Sequence, residues 1–135
     1  MNKYKALSIS IGIIYLWFGA LKLFPGLSPA ETIASDTVEV ISLNILPKKV
    51  GYYLLAIFEI FIGVGLIVFK FRFFFTKVAI SHLICTFIPL FIFCDLSFTT
   101  APYGLTIIGQ YIIKNIVIIM ALLILIPEKV TPNDI

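Results

Sequence analysis

Four apolar runs dominate the chain, at about 6–24, 51–69, 74–94 and 105–126, and polar residues gather between them. The runs are apolar on every side instead of alternating, so they read as helices, not as the roughly ten-residue strands of a membrane β-barrel. Each approaches the roughly 20 residues that cover a hydrocarbon layer about 30 Å thick at about 1.5 Å per residue. Pro25-Gly26, Pro47, Pro102 and Pro127 punctuate the ends. The expected fold is all-α: a polytopic membrane protein with four transmembrane helices in a bundle, one domain over 1–135. Between spans 1 and 2 the segment 28–46 carries Ser28-Pro29-Ala30-Glu31, the spacing of a capping box with proline at the first helical position. A short outer helix is expected there. Ile33, Val38, Ile41 and Ile45 make a rough stripe, fitting either a surface-hugging connector or a lid over an outward-facing pocket.

Composition strengthens this picture: 61% of residues are hydrophobic, 13% are charged, and the mean hydropathy is +1.12, far from an ordinary soluble domain. No linker, repeat or low-complexity tract divides the chain. The net charge of +3 does not form a basic stripe, and no nucleic-acid motif is present. Lys3, Lys5, Lys70, Arg72, Lys77 and Lys129 fall on one side of a four-span topology, against Lys48 and Lys49 on the other. The positive-inside rule then makes both termini cytoplasmic, in a bacterial cytoplasmic membrane. Lys3 and Lys5 also begin a signal-peptide-like run, but Tyr15, Trp17 and Lys22 leave no small-residue cleavage site, so the first span is expected to be retained.

Ionisable residues inside spans are functional candidates because a lone charge there costs about 2.5–3.5 kcal/mol on insertion scales. Glu59 is the ninth residue of the second span and Lys114 the tenth of the fourth, counted from Gly51 and Leu105, and the two spans run in the same direction. Equal depth predicts a Glu59–Lys114 ion pair. Ala56, Glu59 and Gly63 share one helical face; Gln110, Lys114 and Ala121 share another; Ser8, Gly12, Tyr15, Gly19 and Lys22 make a third, and all three are expected to converge. Asn115 adjoins the second of these faces. His82 lies in the third span, one turn before Cys85 and Thr86, where it can titrate near neutral pH. Pro89 is expected to kink that span and free the Cys85 carbonyl. Such a cluster either fixes helix register or handles a ligand or proton.

Other chemistry finds little support. A single histidine cannot supply a bis-imidazole haem site, and Met120 reads as packing. Cys85 and Cys94 are nine residues apart on one predicted helix, about 13 Å along its axis, too far to bridge. No Cys-x-x-Cys, zinc motif, P-loop, dinucleotide fingerprint or Gly-x-Ser-x-Gly elbow occurs. A self-sufficient enzyme is not expected.

The stretch Tyr15-Leu16-Trp17-Phe18-Gly19-Ala20-Leu21-Lys22-Leu23-Phe24-Pro25-Gly26-Leu27-Ser28-Pro29-Ala30-Glu31, with Glu59-Ile60-Phe61-Ile62-Gly63-Val64-Gly65-Leu66 and Gly109-Gln110-Tyr111-Ile112-Ile113-Lys114-Asn115, resembles the DoxX-like group of small bacterial membrane proteins, YkgB-like branch included. The resemblance covers nearly the whole chain. It implies a four-helix membrane bundle with a long outer segment after the first helix. It also implies membrane subunits linked to thiosulfate:quinone oxidoreduction, or scaffolds of oxidative-stress complexes. The matching positions are Lys22, Glu59, Gln110, Lys114 and Asn115.

Two functions follow as expectations. One is a non-catalytic accessory subunit or scaffold of an envelope redox or stress-response complex, with a redox protein as partner and a quinone niche where Lys114 or Gln110 could donate to a carbonyl. The other is a small, homo-oligomeric carrier or binding protein in which Glu59, Lys114 and His82 handle a polar solute or protons, although no broken-helix pair is evident.

Overall fold

The structure, a computed structural model, describes residues 2–126; the helix stop assigned to Pro127 and the positive charge of Lys129 lie outside them. Helix α1 (Lys3–Leu21) starts where the Asn2 side chain accepts a hydrogen bond from the Tyr4 backbone N–H at 3.1 Å, satisfying one of the helix's free donors. A turn through Pro25 and Gly26 leads to α2 (Glu31–Ile41), and α3 (Lys48–Ile67) begins directly after Pro47. A 3-10 turn at Phe69–Phe71 reverses the chain into α4 (Arg72–Cys85). Short helices α5 (Pro89–Ile92) and α6 (Cys94–Ser97), a hairpin β1 (Phe98–Thr100) and β2 (Gly104–Leu105), and α7 (Ile107–Ile124) complete it. The chain is mostly helical, and four helices are long and apolar enough to cross a membrane: α1, α3, α4 continued to Ile92, and α7.

Close backbone approach organises the first pair. Helices α1 and α3 run antiparallel, and a Cβ added at Gly12 would lie 2.8 Å from the Gly63 carbonyl oxygen. A Cβ at Gly19 would lie 3.1 Å from that of Ala56. Lack of side chains at these positions lets the two helices touch through their backbones, the way small residues act in membrane helix pairs. At the far end the Ser8 hydroxyl donates to the Leu66 carbonyl at 2.6 Å, satisfying a fully buried polar group. Gly65 leaves the space that the Phe75 ring of α4 occupies. Ile11, Tyr15, Ile62, Leu66, Ala79, Leu83, Leu122 and Leu125 join Phe75 in the main core; Ile33, Leu90 and Ile112 form a second one beneath α2.

Three local expectations need correction. The Ser28–Glu31 capping box does not form: Ala30 is the N-cap with no side-chain bond, and Glu31 Oε2 accepts from the Gly26 N–H at 2.7 Å instead. The third span is interrupted, not merely bent, because Pro89 has no N–H and the chain passes through a turn at 86–88. The Cys85 carbonyl is not left free; it accepts from the Ile88 N–H at 3.1 Å. Cys94 consequently sits on α6 and Cys85 on α4, both exposed and unbridged. The β1–β2 hairpin adds a two-stranded antiparallel ribbon to an otherwise helical chain.

Candidate functional site

The α1–α3 contact determines the electrostatics of the interior. With Gly19 against Ala56 and Ile60, Lys22, the C-cap of α1, reaches back along the helix to Glu59. Lys22 Nζ lies 2.6 Å from Glu59 Oε2, and the two side chains are 8% and 10% exposed. The expected Glu59–Lys114 pair is therefore not formed: the partner of Glu59 is Lys22. Lys114 is exposed, its Nζ 5.4 Å from the Tyr111 ring centroid. Matching depth does not make a pair, since a helix position has an azimuth as well as a level. Lys114 lies two residues beyond the packed Ile112, about 200° round the helix. Gln110 is exposed as well, so the Gln110–Lys114–Ala121 face does not converge with the other two.

His82 completes the cluster from α4. Its Nε2 is 3.6 Å from Glu59 Oε1, and its Nδ1 is 3.2 Å from the Tyr15 hydroxyl, which also lies 3.2 Å from the Ala79 carbonyl. Tyr15 has one proton for two acceptors. Donated to Nδ1 of a neutral His82, it leaves Nε2–H as the donor that faces the Glu59 carboxylate. The rings of Tyr15 and Phe58 flank the imidazole, each with its centroid 5.7 Å away. Asn115, half-buried on α7, donates from Nδ2 to Thr86 Oγ1 at 2.9 Å, and Thr86 donates to the Leu83 carbonyl at 2.6 Å. This ties α7 to the end of α4.

These groups border a cavity of about 340 Å³. Tyr15, Lys22, Glu59, His82 and Asn115 are among its polar lining residues. Its walls are apolar, with Ile14 and Phe18 from α1, Ile33 and Val38 from α2, and Ile108 and Ile118 from α7. Such a mixture, mostly apolar with a few convergent polar groups, is the usual make-up of a small-molecule site. Of the seven positions singled out in the sequence, Tyr15, Lys22, Glu59, His82 and Asn115 line this cavity, while Gln110 and Lys114 do not.

Ser28, read in the sequence as a helix cap, Thr86, read as a neighbour of His82, and Thr37, not marked in the sequence, also line it. Ser28 and Thr37 are buried, Thr37 within α2, where the signal for it was the irregular stripe begun by Ile33. Helix α2 is held over the cavity by Lys48, whose Nζ lies 2.8 Å from Asp36 and 3.4 Å from Glu39. The Lys48 side chain is 54% exposed, so solvent screens these pairs and each contributes little. Among the described residues no group of three or more His, Cys, Asp or Glu side chains could hold a metal ion.

No family model, characterised protein or solved structure matches the chain.

Proposed function

We propose that the chain is a multi-pass protein of a bacterial cytoplasmic membrane, a four-helix bundle of the DoxX-like kind with both termini cytoplasmic. It acts there as a non-catalytic accessory subunit of an envelope redox or stress-response complex, holding an amphipathic quinone-class molecule in the cavity. The carrying observation is the cavity itself, in which a buried ammonium, a carboxylate, an imidazole and an amide border walls of Ile, Val and Phe. A quinone offers two carbonyl acceptors on an apolar ring. Lys22, Tyr15 and Asn115 are the donors available to them, in place of the exposed Lys114 and Gln110. The membrane setting is supported by large exposed apolar side chains on all four long helices, among them Trp17, Phe61, Phe74 and Val117, at 59–70% exposure. In water so much contiguous apolar surface would be an aggregation liability.

Quinone extraction from protein purified in mild detergent tests this reading. Quinone should accompany the natural protein and fall about tenfold or more in Ile33→Trp, which fills the cavity, since about 1.4 kcal/mol of lost contact already gives tenfold. Absence of quinone, together with no rise in melting temperature on adding a short-chain quinone, would overturn it.

A second reading, a homo-oligomeric proton or polar-solute carrier, is favoured by one contact, the 3.6 Å approach of His82 to Glu59. It requires flux in liposomes that Glu59→Gln abolishes; flux unaltered by that change would sink it.

A further inference from the structure

Helix α7 is covered along one stripe only. Gly109, Ile112 and Leu122 are buried and Ile108, Asn115, Ile118 and Ile119 half-buried, while Ile107, Gln110, Tyr111, Lys114, Val117 and Ile124 are exposed. Lys114 is seven residues into the helix, about 10 Å along its axis from Ile107. If α7 spans a bilayer, as the functional reading above assumes and on which this inference rests, an ammonium faces lipid well inside the apolar layer. The aromatic face of Tyr111 is its neighbour. Among the described residues no carboxylate pairs with it, because Glu59 is taken by Lys22 and the other carboxylates lie away from this depth: Glu31, Asp36 and Glu39 in and around α2, Asp95 on α6.

A second copy does not remedy this. Packing α7 against α7 would bring ammonium toward ammonium, and a described carboxylate at the right level exists only in the buried pair. Charge complementarity instead calls for an acidic side chain from elsewhere, and polar side chains on the faces of membrane helices act as interhelical contacts. Gln110, one turn nearer the Ile107 end on the same face, adds a second hydrogen-bonding group. We infer that the exposed face of α7 docks a transmembrane helix of a different protein, one that carries an Asp or Glu at the depth of Lys114. Val117 and Ile124 supply the apolar remainder of that contact, with the smaller Ala121 between them.

A photo-crosslinking residue at Val117 of the full chain, activated in native membranes, tests this. The expected result is one discrete adduct whose partner, identified by mass spectrometry, has an intramembrane carboxylate. The adduct should fall about tenfold or more in Lys114→Met, as expected for the loss of an ion pair in an apolar setting. Lys114→Asp combined with a lysine in place of the partner's carboxylate should restore it. Adducts only with a second copy, only with lipid (the lysine then reaching a headgroup), or undiminished by Lys114→Met would overturn the inference. An unchanged melting temperature for Lys114→Met separates a lost partner from a lost fold; a drop would assign Lys114 to internal stability and also overturn it. Labelling of Lys114→Cys by a membrane-impermeant maleimide distinguishes the two levels of failure. Labelling as fast as that of Leu43→Cys would remove the membrane reading itself, whereas slow labelling without an adduct overturns only the docking.

Discussion

Lys22 and Glu59 share a site almost withdrawn from solvent, and the energetics of such a pair are asymmetric. Both charges have lost most of their hydration, so removing one leaves the other uncompensated, at about 3–5 kcal/mol. Lys22→Met and Glu59→Met should each lower the melting temperature in detergent sharply. The double change Lys22→Met/Glu59→Met should recover most of the loss, since replacing a buried pair by apolar groups is often close to neutral. Absence of recovery would indicate that the pair holds something besides itself. Tyr15→Phe removes a hydroxyl shared by Ala79 and His82 and should cost about 1 kcal/mol, read from the same melting curves. Lys114→Met, on an exposed face, should leave the melting temperature of the isolated protein unchanged within about 0.5 kcal/mol. The contrast between Lys22 and Lys114 is the residue-scale outcome that depth alone could not supply.

At the scale of elements, the α1–α3 contact decides what the ionisable residues meet. Gly12 and Gly63 let the two backbones touch, and a branched side chain at either would meet a carbonyl oxygen. Gly12→Val should therefore force the helices apart and destabilise by about 1–3 kcal/mol. It should also weaken ligand retention, because Lys22 is carried on the same helix. Ala20→Val, on the exposed face of α1, is the matched control and should do neither. The small-residue step Ser8–Gly12–Gly19 and the Ala56–Glu59–Gly63 step were legible because helical periodicity puts residues three and four apart on one face. Lys22 could be placed on the first of these faces, but nothing local identified it as the partner of Glu59. The break at 86–88 was half legible: Pro89 announces lost helical bonding, whereas the neighbouring packing determines whether the helix bends or stops.

At the scale of the molecule, Lys3 and Lys5 at the start of α1 share an end with Lys70 and Arg72, while Lys48 and Lys49 stand at the other end with α2. If the positive-inside rule orients it, cysteines at Phe71 and Leu43 should label from opposite faces of intact membranes with an impermeant reagent. Labelling of both from one face would exclude the four-span topology.

The sequence by itself determined the number, type and approximate limits of the four long helices and the faces of α1 and α3, because hydrophobic length and 3.6-residue periodicity are properties of the chain read in one dimension. It also marked Tyr15, Lys22, Glu59, His82 and Asn115 as worth following. Only the tertiary structure decided which of them meet. Partner choice depends on the azimuth of each helix and on how closely two backbones approach, and both are outcomes of packing the whole set. That packing turned α2 into a cavity wall, joined Lys22 to Glu59, and left Lys114 facing away from every carboxylate in the described chain.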